Sequence, residues 1–436
     1  MKSSGFTSLA RAGFLTIFFW ASLGGGAALA QTVHPERGRF ASLASVDQLP
    51  PEQQVSDTQI SIVRARAFLG LGDYDNARAE AEIVLARDPN SADAIKILAA
   101  VEEATGRWRH AARHWARAAE LTGDRAAADR RDALVSAHPT YVGITGFFEG
   151  APGVDQLSGL RVDYIRRPLD GPEWTAMFEH RTGSSDAVTR LDGTIASADE
   201  SRQRLDIGLA DDLPFARVGV GVTVTEEAVG ARVSIGRSRP YGSLELTAGY
   251  NEPYWAYTAG LVNDATYKHL AVSFSYSTGL FSLRGRIAGN DYDVRDENSV
   301  ARSIAGAVGV DYALSDDANA ARVTYIIDVE HFDSIDLRTR PDSTQYAVMP
   351  FADRTVHTLG VYKRYGEQDG HFMTLGAGYR RDSETGADGA YASFVGEADI
   401  GNDLRLGARL EYSDVSTRGV SNEPYAFAEL YVRRQF

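Results

Sequence analysis

Leu404-Arg405-Leu406-Gly407-Ala408-Arg409-Leu410-Glu411-Tyr412 alternates, residue by residue, between apolar and polar or glycine positions. Successive side chains of a strand point to opposite faces, so the stretch has one apolar face and one charged face. The same period of two recurs upstream. Val218, Val220, Val222 and Val224 alternate with Gly219, Gly221 and Thr223, and Leu244, Leu246, Ala248 and Tyr250 with Glu245, Thr247 and Gly249. Val323, Tyr325, Ile327 and Val329 alternate with Thr324, Asp328 and Glu330. From about residue 138 onward the chain is therefore expected to be antiparallel β-structure with one apolar and one polar face.

A soluble sandwich would alternate too, and three features point instead to a transmembrane barrel. The strands run about 10 to 13 residues, near the roughly 9 to 11 of tilted membrane strands and beyond the globular mode of roughly 5 to 6. Tyr164, Tyr250, Tyr276, Tyr312, Tyr379 and Tyr412 fall at the ends of apolar faces, where an aromatic girdle belongs. The chain closes on Phe427-Ala428-Glu429-Leu430-Tyr431-Val432-Arg433-Arg434-Gln435-Phe436. That strand, with terminal Phe436, resembles the signal by which outer-membrane proteins are handed to their insertion machinery, and Arg434 departs from its usual apolar residue.

Taking Gln156 to Arg167 as the first strand predicts sixteen, with both termini periplasmic and breaks alternating between short turns and long loops. Short turns are expected at Gly183–Ser185, Asp211–Pro214, Arg237–Gly242, Ser277–Gly279, Ser315–Asn319, Gly366–Gly370 and Gly401–Asp403. Longer loops are expected at Asn251–Asp264, Asp291–Ser299, Ser334–Asp353 and Ser413–Glu423. Tyr141–Phe148 would make a seventeenth strand and reverse the alternation, so 138–155 is expected to be a linker or plug segment and 156–436 the barrel. Sixteen strands leave a lumen wide enough for water and solute. Its inferred face carries Arg161, Asp163, Asp206, Glu245, Arg284, Arg286, Asp328, Glu330, Arg380, Arg405, Arg409 and Glu411. Such mixed charges could bind a hydroxyl-rich polymer or form an ion-pair lattice between neighbouring strands.

Upstream the period is helical. Gly72-Asp73-Tyr74 recurs as Gly106-Arg107-Trp108, Ala77 as Ala111 and Ala65 as Ala99, always 34 residues on. That is the period of a tetratricopeptide repeat: the glycine permits the tight turn, the aromatic packs beside it and the alanine lets helices approach. Helices are expected at 58–71, 74–87, 92–105 and 108–121, with a capping helix at 124–136, so that 57–137 forms a short repeat domain. Such a module binds a protein or peptide and does no chemistry, with Trp108, His110, His114 and Trp115 as candidate contacts. The His110/His114 pair lacks a third ligand and is expected to be solvated.

Lys2 and Arg11, an apolar run through Trp20 and the close Ala28-Leu29-Ala30 predict a signal peptide over 1–30, with a linker over 31–56. No cysteine occurs in the 436 residues, which excludes disulfides, thiolate metal sites and cysteine catalysis. The net charge of -14 argues against nucleic acid. No Gly-x-Ser-x-Gly elbow or His-Glu-x-x-His helix accompanies His180, His269, His331, His357 and His371, so no enzyme and no cofactor is expected. Asn290-Asp291-Tyr292-Asp293, with Asp296, Glu297 and Asn298, lacks the spacing of a calcium hand and is expected to be a solvated outer loop.

A signal peptide, helical repeats and a C-terminal barrel of about sixteen strands together resemble the outer-membrane porins that export bacterial exopolysaccharides, including cellulose, poly-N-acetylglucosamine and the Pel polymer. Tyr250-Asn251-Glu252-Pro253-Tyr254-Trp255, Asp264-Ala265-Thr266 and Tyr292 look most like the Pel type. The resemblance implies a polysaccharide chain as cargo, a periplasmic repeat domain that scaffolds a protein partner, and a barrel in the outer membrane. A translocator of surface lipoproteins, usually of fourteen strands, is the alternative within transport, and an outer-membrane lipid hydrolase the alternative outside it.

Overall fold

The structure, a computed structural model, describes residues 57–436 apart from 152–154, 214, 240, 296, 318, 367–369, 402 and 416–423. The expected signal peptide and the linker 31–56 lie outside the described residues. The chain divides into a helical unit ending at Pro139 and a β unit beginning at Thr140.

The helical unit contains α1 (Asp57–Gly70), α2 (Tyr74–Arg87), α3 (Ala92–Ala104), α4 (Trp108–Thr122) and α5 (Arg125–Ser136). The 34-residue offset extends to the backbone hydrogen bonds. Gly72 N–H donates to Leu69 O and Asp73 N–H to Phe68 O; Gly106 N–H donates to Glu103 O and Arg107 N–H to Glu102 O. Both turns are the same double C-cap, and both place glycine in the left-handed region, at φ 76° and 75°. Ala65, Ala77, Ala99 and Ala111 have no exposed surface, as close helix approach requires. Tyr74 packs on the core formed by Ala77, Ala81 and Ile97. Trp108 is buried and stacks on His138 with centroids 4.4 Å apart.

The β unit contains β1 (Tyr141–Ala151), β2 (Asp155–Arg166), β3 (Glu173–Thr189), β4 (Ile195–Asp212), β5 (Arg217–Thr225), β6 (Val229–Arg239), β7 (Gly242–Pro253), a short α6 (Thr258–Val262) and β8 (Ala265–Thr278). It continues with β9 (Phe281–Val294), β10 (Glu297–Ala313), β11 (Ala321–Ile335), β12 (Arg338–Thr339), β13 (Gln345–Tyr346), β14 (Arg354–Gly366), β15 (Phe372–Asp382), β16 (Asp388–Ile400), β17 (Leu404–Ser413) and β18 (Tyr425–Gln435). β12 and β13 form a separate hairpin, and the other sixteen strands close into an antiparallel barrel. Closure is made by β1 on β18, from Tyr141 opposite Gln435 to Gly150 opposite Ala426. No paired edge is left open, which is what a strand needs where water cannot reach its backbone.

The count of sixteen matches the expectation, but its composition differs. Tyr141–Ala151 is a barrel strand and not part of a linker or plug, paired to β2 on one side and β18 on the other. Tyr141, Gly143 and Thr145 are buried while Ile144 between them is exposed. Conversely, Gly183–Ser185 is no turn, because β3 passes through it without a break. The glycine is there for close approach: a Cβ at 183 would lie 2.6 Å from Leu261 Cδ1 and 2.9 Å from Thr258 Oγ1. Asp291–Ser299 is likewise no long loop. β9 and β10 run to Val294 and from Glu297, and the acids are used within the sheet: Lys268 Nζ lies 2.8 Å from Asp293, which also accepts Ser299 N–H.

Leu244, Leu246, Val220, Val222, Leu359 and Leu410 are all outward and exposed. So are the six girdle tyrosines, Tyr164, Tyr276 and Tyr312 toward the end holding the termini and Tyr250, Tyr379 and Tyr412 toward the opposite end. No helix among the described residues is long and apolar enough to cross a membrane. A closed barrel with an apolar wall and aromatic rims is an outer-membrane architecture, so the strands cross that membrane.

Candidate functional site

The inward face of the wall holds the twelve charges expected there, and ten of them are tied down by neighbours. Arg161 Nε donates to Asp163 at 3.1 Å and Asp206 accepts from the Thr223 hydroxyl. Arg284 pairs with Asp311, and Asp328 with Arg354 at 3.4 Å. Glu330 accepts from Tyr292 Oη at 2.9 Å and Ser303 Oγ at 2.7 Å. Arg380 lies 3.0 Å and Arg409 3.7 Å from Glu411, and Arg405 2.7 Å from Asp399. Glu245 and Arg286 differ from these ten: neither has an ion-pair or hydrogen-bond partner among the described residues.

Several charges that the alternation did not single out complete the lattice. Glu179 is fully buried between Arg181 at 2.7 Å and Arg204 at 3.0 Å. A bulge between Gly249 and Glu252, with Asn251 at φ 53°, turns Glu252 inward. There it lies 3.2 Å from Arg232 and 3.4 Å from His269 Nδ1. The arginines also rest on rings that share the polar phase of their strands. Arg433 stacks on Tyr431 at 4.3 Å, Arg409 on Phe427 at 5.0 Å and Arg380 on Tyr391 at 5.0 Å. Tyr431 and Tyr391 lie over glycines of the next strand: a Cβ at Gly407 would meet Tyr431 at 2.0 Å, and one at Gly378 would meet Tyr391 at 2.7 Å. A Phe or Tyr in the polar phase opposite a glycine is the sequence signal for such a ring.

Two loops opposite the termini fold inward. The first, 254–264, leaves β7, carries α6 and reaches the wall at β2–β4, three to five strands away around the barrel. Arg181 Nη1 donates to Trp255 O at 2.8 Å, Thr258 N–H to Asp155 Oδ1 at 3.0 Å and Asn263 Nδ2 to Thr189 O at 3.1 Å. Trp255 and Leu261 pack on Leu157. The second loop, 336–353, sets Val348, Met349 and Phe351 against Tyr254, Tyr257, Tyr292 and Phe332, with Phe351 and Tyr292 centroids 4.6 Å apart. Its hairpin is fastened to the β3–β4 turn: Arg338 Nη1 and Tyr346 Oη donate to Leu191 O at 3.0 and 3.1 Å, and Arg340 Nε to Gly193 O at 2.8 Å. The segment Tyr250–Trp255 that carries the family resemblance is the root of the first loop, and Tyr292 lies beneath both.

The remaining candidates are placed as follows. His331 Nδ1 bonds Asp353 at 2.9 Å and His357 Nδ1 bonds Tyr325 Oη at 2.7 Å; no serine hydroxyl takes part in either contact. Among the described residues no three metal-ligating side chains meet. His110 Nδ1 faces Arg113 Nη2 at 3.1 Å, and Trp115 Nε1 donates to Glu103 at 3.2 Å. Phe436 is exposed beneath the Arg434 guanidinium, and its N–H donates to Thr140 O at 2.9 Å beside the barrel seam.

No protein-family model and no curated protein matches this chain. Among solved structures it is similar to a bacterial polysaccharide outer membrane secretin, at 11% identity and TM-score 0.47, over 68% of this chain and 98% of that one. It is also similar to OprD of Pseudomonas aeruginosa, at 11% identity and TM-score 0.37, over 68% and 94%. A loop-deletion mutant of OmpT, an outer membrane protein of Vibrio cholerae, matches at 13% identity and TM-score 0.35, over 68% and 98%.

Proposed function

We propose that this protein is an outer-membrane conduit that exports a polysaccharide, with its helical repeats acting as a periplasmic scaffold for a protein partner. The observation that carries the reading is one chain joining helical hairpins to a closed sixteen-stranded barrel whose inner wall carries a lattice of paired charges. The ion-pair lattice keeps that wall hydrated without a strong net field, which suits an uncharged or weakly charged polymer better than a small ion. Sixteen strands weigh against a lipoprotein translocator, whose barrel usually has fourteen. The contacts of His269, His331 and His357 with Glu252, Asp353 and Tyr325 offer no activated serine for lipid hydrolysis. The test is deletion of the gene, with secreted and periplasmic polysaccharide assayed in the same cultures. Polymer trapped in the periplasm is the expected result. Unchanged polymer with a surface lipoprotein held inside would overturn the reading.

A further inference from the structure

Resting on the reading of the barrel as a conduit, we infer that Glu245 and Arg286 form its selectivity-setting pair and that the cargo they contact is a hydroxyl-rich chain without net charge. The two side chains share one rung of the wall. Across β6 to β10 the register runs Gly236, Glu245, Ser273, Arg286, Ala307, so each charge is flanked on both sides by Gly, Ser or Ala. A neighbour of that size offers no carboxylate to the arginine and no cation to the glutamate. On other rungs a partner is within reach, as Asp311 is for Arg284 and Glu411 for Arg380. Glu245 is also exposed, whereas the Arg380 side chain is 6% exposed. Neither group has to break a direct ion pair or hydrogen bond before it can meet a passing molecule; Arg286, half-buried, acts on the Glu252 carboxylate only through space.

The chemistry of the rung decides the class of cargo. A carboxylate only accepts hydrogen bonds and a guanidinium only donates them, and a sugar hydroxyl does both. Roughly 9 to 10 Å separates the two strands that carry them, the scale on which one chain can touch both. Their charges cancel, so the rung attracts neither a polyanion nor a polycation along its length, while a chain with many acidic or amino groups would be repelled at one of the two.

The chain contains no cysteine, so a single substitution supplies a unique probe. Full-length Glu245→Cys and Arg286→Cys in detergent would be reacted with an uncharged maleimide, with Arg380→Cys as the packed reference. Ser413→Cys, at a position with no exposed surface, replaces that reference if Arg380→Cys fails to fold. Both test positions are expected to react at least about tenfold faster than the reference, since access limits the rate. Cellohexaose is expected to slow both reactions, and hexagalacturonate or a chitosan hexamer to slow them less. Reaction as slow as the reference, or stronger protection at both positions by a charged oligomer, would overturn the inference. Fast, cellohexaose-protected labelling together with normal polymer in the deletion strain would fail the export reading alone, and slow labelling with trapped polymer would fail this inference alone.

Discussion

Gly407 is the floor on which the Tyr431 ring lies, with the Arg433 guanidinium above it and the Tyr431 hydroxyl bonded to Glu397. A methyl at 407 would occupy the ring's own position, so Gly407→Ala has to displace Tyr431 and with it the stack and the bond. Overpacking of this kind costs about 1–3 kcal/mol, and urea unfolding of the refolded barrel is expected to show a lower midpoint. Gly289→Ala, where a Cβ meets nothing within 4 Å, is the control expected to leave it unchanged. His114 in α4 gives a residue-scale prediction for the helical unit. Burial, and then the nearby His110, Arg113, Arg117 and Arg78, lower its pKa from 6.5 to about 4. On acidification from 6.5 toward 4 the unfolded chain binds a proton that the folded chain refuses, so the unit loses stability through that window and gains nothing above it. Thermal melts followed by the helical circular-dichroism signal are expected to fall between pH 7 and 4.5, and to fall less in His114→Gln.

Among elements, the contrast between two kinds of glycine explains what sequence could and could not reveal. Gly72 and Gly106 look like turn residues because everything around them repeats, and their positive φ and shared cap bear that out. Gly106→Ala is expected to destabilise the helical unit by about 1 kcal/mol or more, since alanine pays for a left-handed backbone. Gly70→Ala, within α1 and facing open space, is expected to be neutral or mildly stabilising in the same melt. Gly183 invites the same reading beside Ser184 and Ser185, yet it lies in the middle of β3. What it makes room for, Leu261 and Thr258, is more than seventy residues away, and no local pattern announces that. A break at Gly183 would add one strand downstream, and an even count then leaves no place for the genuine first strand, Tyr141–Ala151. The lumen divides in the same way. Its charges are legible because each strand alternates by itself, whereas Tyr391, Phe427 and Tyr431 become lumen rings only through the register that sets them over a neighbour's glycine or under a neighbour's arginine.

At the scale of the molecule the two inward loops act as one structure. Loop 254–264 crosses from β7 to β2–β4, and loop 336–353 packs Val348, Met349 and Phe351 onto it. Strands alone leave a wide lumen, so the open cross-section depends on whether these loops stay inside. Loop 254–264 is held along its length by three wall contacts and the Leu157 cluster. The hairpin of loop 336–353 is fastened to the β3–β4 turn by two arginines and Tyr346, all of them reaching main-chain oxygens of Leu191 and Gly193. The hairpin of the second loop is thus the part that can be released without unfolding the first. Hydrogen bonds from a charged donor contribute about 1.5–3 kcal/mol each, so Arg338→Ala with Arg340→Ala is expected to raise the released population by about a hundredfold or more. In planar bilayers the double variant is expected to conduct more than the wild type, with protease cutting first within 336–353. Unchanged conductance with the loop cut would mean that loop 254–264 alone sets the aperture, and the next variant would then be Asp155→Ala, which removes the acceptor of both the Thr258 N–H and the Thr258 hydroxyl.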